Sequence, residues 1–250
     1  MKKFFSLIAT ASICASALLV GCGDKETVKN TVIVPVNERY ELSNLFSGND
    51  SLFNVRLCHA EGQELSIDGR KIIFTQLGEY TLTHADGEIT KINVKDLVAP
   101  TISFDFNGYQ PKAEQQTSLP LTVMDNYDGE KVNVTIFNSG IETVNSFKPT
   151  KNGAKLKVIA KDKSGNSSQS FVNLLPAGTK FTADKSLFDN LDEQKNYSIS
   201  YKVTEYSNNR ENTYLGNAAT LKSNEYCKVT ATAKCGTEII IVNAYYIPMI

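Results

Sequence analysis

The sequence predicts an all-β chain built of repeated modules, each made of two sheets packed face to face. Three observations carry that expectation. Apolar and polar residues alternate with period two through most of the chain, a short segment recurs twice at offsets of 76 and 71 residues, and nothing after residue 22 keeps a helical period.

The alternation gives each strand one dry and one wet face. Leu119, Leu121 and Val123 share one face, and Val132, Val134 and Ile136 share another. Leu156, Val158 and Ala160 point away from Lys155, Lys157 and Lys161; Tyr197, Ile199, Tyr201 and Val203 point away from Ser198, Ser200, Lys202 and Thr204. The recurring segment reads as a hairpin. Tyr80-Thr81-Leu82 leads to Asp86-Gly87, Leu156-Lys157-Val158-Ile159-Ala160 leads to Asp162 and Ser164-Gly165-Asn166, and Cys227-Lys228-Val229-Thr230-Ala231 leads to Cys235-Gly236-Thr237. Gly78, Gly153 or Asn224 precedes each segment and a further apolar strand follows it, the pattern of two strands joined by a turn that contains Gly. Half-buried strands at this density are best satisfied by sandwiches.

The first residues have a different logic. Lys2 and Lys3 precede an apolar run from Phe4 through Val20 that is too short and too early for a resident membrane helix, so it reads as an export signal. The run ends in Leu19-Val20-Gly21-Cys22, which resembles the lipobox of bacterial lipoproteins. The resemblance implies cleavage before Cys22 and acyl chains on its sulfur and new amino terminus. At about 0.8 kcal/mol per buried methylene, several chains hold a protein stably where one binds reversibly. The expected location is the bacterial cell envelope, outside the cytoplasm, and the expected first partner is a membrane. Residues 1–21 are then the signal and residues 22–30 a lipidated tether.

Pro100-Thr101-Ile102, Leu119-Pro120-Leu121, Val123-Met124-Asp125-Asn126 with Asp128-Gly129, and Val158-Ile159-Ala160-Lys161-Asp162-Lys163-Ser164-Gly165-Asn166 resemble a bacterial immunoglobulin-like domain of the kind strung in tandem on surface proteins. The resemblance implies three modules over residues 31–97, 98–175 and 176–250. The middle one matches best. The first has a shortened final hairpin, and the third has Cys235 where the middle module has Ser164 and Ala233 where it has Asp162. Such domains serve as spacers, stalks or adhesive modules, and the fold alone fixes no function. The junctions Lys95 to Pro100 and Leu174 to Gly178 are short and contain Pro, which predicts a semi-rigid row.

Composition excludes several classes. Without Lys2 and Lys3 the chain keeps 24 basic against 27 acidic side chains, and its Arg residues (Arg39, Arg56, Arg70 and Arg210) are scattered, which is no footprint for nucleic acid. His59 and His84 are the only histidines, and Cys58 beside His59 on a strand points to the opposite face, so neither a hydrolytic triad nor a thiol dyad is expected. His84 is expected at the margin of a core. No cofactor is expected and no catalysis. Cys227 is expected to face a core and Cys235 to sit in a turn, both as thiols.

Three binding readings stay open. Asp125, Asp128 and Asp162 are acidic enough to suggest calcium, although Asp-Asn-Tyr-Asp-Gly and Asp-Lys-Ser-Gly-Asn are also what turns require. With no Trp in the chain, a carbohydrate platform would fall to tyrosines of the third module, with Tyr206, Tyr214, Tyr245 and Tyr246 as candidates. The C-terminal run from Ile239 to Ile250 is apolar on both faces, so it is either covered on both sides or offers an edge to a partner or a second copy.

Overall fold

The computed structural model describes residues 28–45, 56–62, 64–65, 71–84, 87–188, 191–206, 210–215, 219–223 and 226–250. The export signal, the lipobox residues Leu19, Val20 and Gly21, and Cys22 lie outside them. Among the described residues there is no α-helix, and none is long and apolar enough to cross a membrane. Two compact units follow one another, divided between Val98 and Ala99.

In the first unit, strands β1 (Val28–Pro35), β2 (Arg39–Glu41), β3 (Arg56–His59), β4 (Glu64–Leu65), β5 (Lys71–Ile73), β6 (Gly78–Thr83) and β7 (Ile89–Lys95) form two sheets, β1-β7-β6-β3-β4 and β2-β5. The alternation decides which residues turn inward. On β7, Thr90, Ile92 and Val94 are buried while Lys91 and Lys95 are exposed. They close a core with Val34, Leu57, Phe74, Tyr80 and Leu82, in which Phe74 meets Tyr80 edge to face at 4.9 Å. His84 is buried at the end of this hairpin, its Nε2 2.8 Å from Thr90 Oγ1. β1 runs parallel to β7, with Val34 beside Val94.

The second unit holds β8 (Thr101–Phe104), β9 (Leu121–Met124), β10 (Asn133–Asn138), β11 (Ile141–Thr143), β12 (Ala154–Lys161), β13 (Ser167–Pro176), β14 (Thr179–Ala183), β15 (Ser198–Glu205), β16 (Arg210–Leu215), β17 (Ala219–Ser223), β18 (Cys227–Cys235) and β19 (Glu238–Met249). The three recurring segments are three hairpins, β6–β7, β12–β13 and β18–β19, paired over 6, 8 and 9 residue pairs, so the first is indeed the short one. Gly153 opens the second hairpin with φ +106°, where a Cβ would lie 2.0 Å from the Leu174 carbonyl oxygen.

Residues 98–175 and 176–250, expected as successive modules, share a sheet. Its order is β11-β10-β12-β13-β19-β18-β15-β16, joined at the middle by the parallel pair β13–β19, and the expected boundary falls inside β13. The physical reason is β19. Tyr245, Ile247 and Met249 on one face enter the core formed by Ile102, Leu119, Leu156, Val158 and Val172, under the layer β8–β9. Val242, Ala244 and Tyr246 on the other face enter the core formed by Ile199, Tyr201, Val203, Val229 and Ala231, over which β14 contributes Phe181 and Ala183. The strand that is apolar on both faces serves two cores, one per face, and both of its backbone edges carry a neighbouring strand. The fold class is the all-β sandwich that the alternation predicts.

Candidate binding groove

The shared sheet is covered on opposite faces in its two halves. Over β10, β12 and β13 the covered face is that of Leu156, Val158, Val172 and Leu174; over β15, β18 and β19 the cover lies on the other face, under β14. Where the β14 layer stops, the uncovered face of β12 and β13 continues beside it as the floor of a groove of about 820 Å³.

That floor is the face which alternation alone assigns to water. Lys155 and Lys157 are on it, as expected, but Ile159, Phe171 and Leu175 share it and are only half-exposed. Phe171 and Leu175 pack against the second core, and the Lys157 ammonium lies 5.8 Å from the centre of the Phe171 ring. The opposite wall is β14, whose Phe181 stacks on the buried Tyr246 at 3.8 Å and 14° and whose Lys180 stands exposed at the rim. One end is closed by the 3-10 turn Lys185–Leu187. Asp184 caps that turn by accepting the Ser186 backbone N–H at 2.9 Å, and hydrogen bonds from Ser186 hold its carboxyl below the ordinary carboxylate value.

The tyrosines divide. Tyr245 and Tyr246 belong to the cores, not to a sugar platform: they are 6% and 5% exposed because β19 is covered on both sides. Burial pushes the phenols of both upward, and raises the thiol of the neighbouring Cys227 to about 12. Tyr206 is half-exposed and stacks on Tyr226 at 4.2 Å, a rim pair that fits the tyrosine expectation. The side chain of Tyr214, on β16, lies outside the described residues.

Asp125 and Asp162 come together and Asp128 lies beside them. A carboxylate oxygen of Asp125 and one of Asp162 are within 4.8 Å. All three serve the turns. Asp125 Oδ1 accepts the N–H groups of Tyr127 and Asp128, each at 2.8 Å, and Asp162 accepts both the backbone and the side-chain N–H of Asn166. Asp128 accepts the Lys163 N–H at 3.0 Å and pairs with its ammonium at 3.2 Å, tying one turn to the next.

Cys227 and Cys235 stand at opposite ends of β18, roughly 27 Å apart at about 3.4 Å per residue, far beyond the reach of a disulfide. His59 sits against Tyr80 with ring centres 4.7 Å apart, and its Nδ1 accepts the Glu61 N–H. The groove residues Phe171 and Phe181 were not singled out by the sequence. The available signal was Phe171-Val172-Asn173-Leu174-Leu175, apolar on both faces in a strand where one face should be wet.

No family model matches the chain, and no curated protein does. Among solved structures, a three-domain immunoglobulin fragment of titin is 9% identical, covering 88% of this chain and 96% of its own at a TM-score of 0.24. A bacterial ice-binding adhesin, in a structure concerned with host cell surface retention, is 10% identical over 81% of this chain and 89% of its own, at 0.19. A Bacteroides ovatus glucan-utilisation protein, solved with a mixed-linkage heptasaccharide, is 12% identical over 91% and 69%, at 0.18. These scores are all below 0.5, and the architecture rests on the strand order and cores described above.

Proposed function

We propose that this chain is a lipid-anchored, non-catalytic binding protein of the bacterial envelope, and that the groove beside β14 is its binding surface. The lipobox ending at Cys22 supports the anchor, and the two histidines, both in the first unit and engaged with Thr90 and Tyr80, leave the second unit without a histidine base for hydrolysis. The observation that carries the binding reading is the groove floor. Ile159, Phe171 and Leu175 lie on a face that a pure spacer would keep polar, and a concave apolar floor with polar rims is the usual form of a ligand site.

A carbohydrate-binding reading draws on a separate feature, the stacked pair Tyr206 and Tyr226, which offers one half-exposed aromatic face.

The test is made in intact cells. A photo-crosslinking amino acid at the exposed Thr182, which lines the groove, is expected to yield a discrete adduct, while the same residue at Ile141, 75% exposed on the edge strand β11, yields none. Equal labelling from both positions, or none from either, returns the chain to a spacer. The anchor is checked in the same cells: Cys22→Ser moves the protein from the membrane to the soluble fraction.

A further inference from the structure

The groove floor is built in rows, and their chemistry names a class of ligand for the binding surface proposed above, on which this inference rests. The pairing of β12 with β13 sets Lys157 beside Phe171 and, one row along, Lys155 beside Asn173. Ser139 extends that second row, its N–H donating to the Lys155 carbonyl oxygen at 2.8 Å. A polar row thus lies next to an aromatic one, about 7 Å away along the strand at about 3.4 Å per residue. The β14 wall repeats the contrast, with Phe181 in the lining between the hydroxyls of Thr179 and Thr182.

Two of these polar groups have nothing to bond inside the protein. Elsewhere in the second unit a half-buried amide is satisfied: Asn166 bonds Asp162 through its backbone and its side chain, and Asn243 meets Thr230 at 2.9 Å. Asn173 is half-buried as well, yet neither its amide nor the hydroxyl of the half-buried Thr179 has a hydrogen bond among the described residues. Both groups donate and accept. Set beside phenyl rings, they suit a molecule that presents C–H faces and hydroxyl edges together. A sugar ring is such a molecule: its C–H face lies flat on an aromatic ring, and each hydroxyl at its rim both donates and accepts. Phe181 has one face stacked on Tyr246 at 3.8 Å, which leaves the other for that contact. A peptide strand added to β14 would take its bonds from main-chain groups at that edge and leave the Asn173 amide, on β13, without use. We infer that the groove binds a glycan, its sugar rings against Phe171 and Phe181 and its hydroxyls bonded by Asn173 and Thr179.

The experiment identifies what the photo-crosslinking residue at Thr182 captures in intact cells. After trypsin digestion, the peptide that holds position 182 is expected to carry the masses of sugar residues, and periodate oxidation should destroy the added group. Thr179→Val, which keeps the shape of the side chain and removes its hydroxyl, should lower the yield of that adduct severalfold. Thr179→Val together with Asn173→Ala should lower it roughly tenfold, as the loss of two hydrogen bonds predicts. Ser198→Ala, at an exposed hydroxyl on β15 outside the groove lining, should change nothing. An adduct made of amino acids or of a fatty acyl chain overturns the inference, and so does a sugar adduct whose yield is indifferent to both groove variants. In either case the ligand class falls while the groove stands as a binding surface; a Thr182 position that captures nothing removes the groove as well.

Discussion

The two units close the same hairpin in different ways. In the first, β7 is flanked in parallel by β1, a strand from the start of its own unit, and Val34 sits beside Val94 in the core. In the second, the equivalent strand β13 is flanked in parallel by β19, the last strand of the following repeat, with Ile247 beside Leu174. A hairpin closed from within forms a self-contained sandwich. One closed by the next repeat cannot keep its core without that repeat, and the price of this economy is that a single strand, the twelve residues of β19, supports two cores.

Deleting Tyr245 to Ile250 is therefore the strongest way to break the comparison. It removes Tyr245, Ile247 and Met249 from one core and Tyr246 from the other. At about 2–5 kcal/mol for each of these four buried side chains, the loss is about 8–20 kcal/mol, as large as the whole stability of an ordinary domain at about 5–15 kcal/mol. Hydrogen exchange should show protection lost in β12–β13 and in β15–β18 together. Protection lost in β18 alone, with β12 intact, would mean that the first of these cores stands without β19.

Much of this arrangement was legible in the sequence, and the part that was not has a physical cause. Period-two alternation located the dry faces of β12 and β15 residue by residue, because a pleated strand permits only two facings. The repeated segment found all three hairpins. What alternation cannot show is which element covers a face. The doubly apolar β19 was open to an internal or an intermolecular reading, since both bury the same side chains, and a parallel pair between repeats leaves no turn residues to announce it. For the same reason Tyr245 and Tyr246 passed as rim candidates, and the groove was invisible: Lys155 and Lys157 mark a wet face, while Phe171 and Leu175, on the next strand, become its floor only through the pairing of β12 with β13.

A gentler test sharpens the comparison without dismantling either sandwich. Ile247→Ala should cost about 2–5 kcal/mol, read as faster exchange throughout β12, β13, β18 and β19. Val34→Ala, the corresponding change at the parallel partner of β7, should cost about 2 kcal/mol and be felt in β6 and β7. If Ile247→Ala is felt only in β13, the shared strand transmits less than its position between two cores implies.

The smallest effect is expected at the turns, where the two hairpins also differ. In the first unit the His84 N–H donates to the Glu88 carbonyl oxygen at 2.8 Å, and the His84 ring reaches Thr90 Oγ1 across the same hairpin. In the second, Asp128 reaches across from another turn and binds Lys163, and that backbone hydrogen bond, followed by the ammonium, holds its carboxyl below the ordinary value of 3.8. A carboxyl that binds its proton more weakly when folded contributes support that is present above the ordinary value and fades as pH falls through the lowered one. Acidification below pH 3.8 should thus lower the protection of the Lys163 amide, measured against the intrinsic exchange rate at each pH, before it disturbs β12 itself, and Asp128→Asn should show that lower protection already at neutral pH. A Lys163 amide that exchanges at the same rate in both proteins at neutral pH would mean that Asp128 adds nothing to the turn of the second hairpin beyond the bonds that Asp162 makes with Asn166.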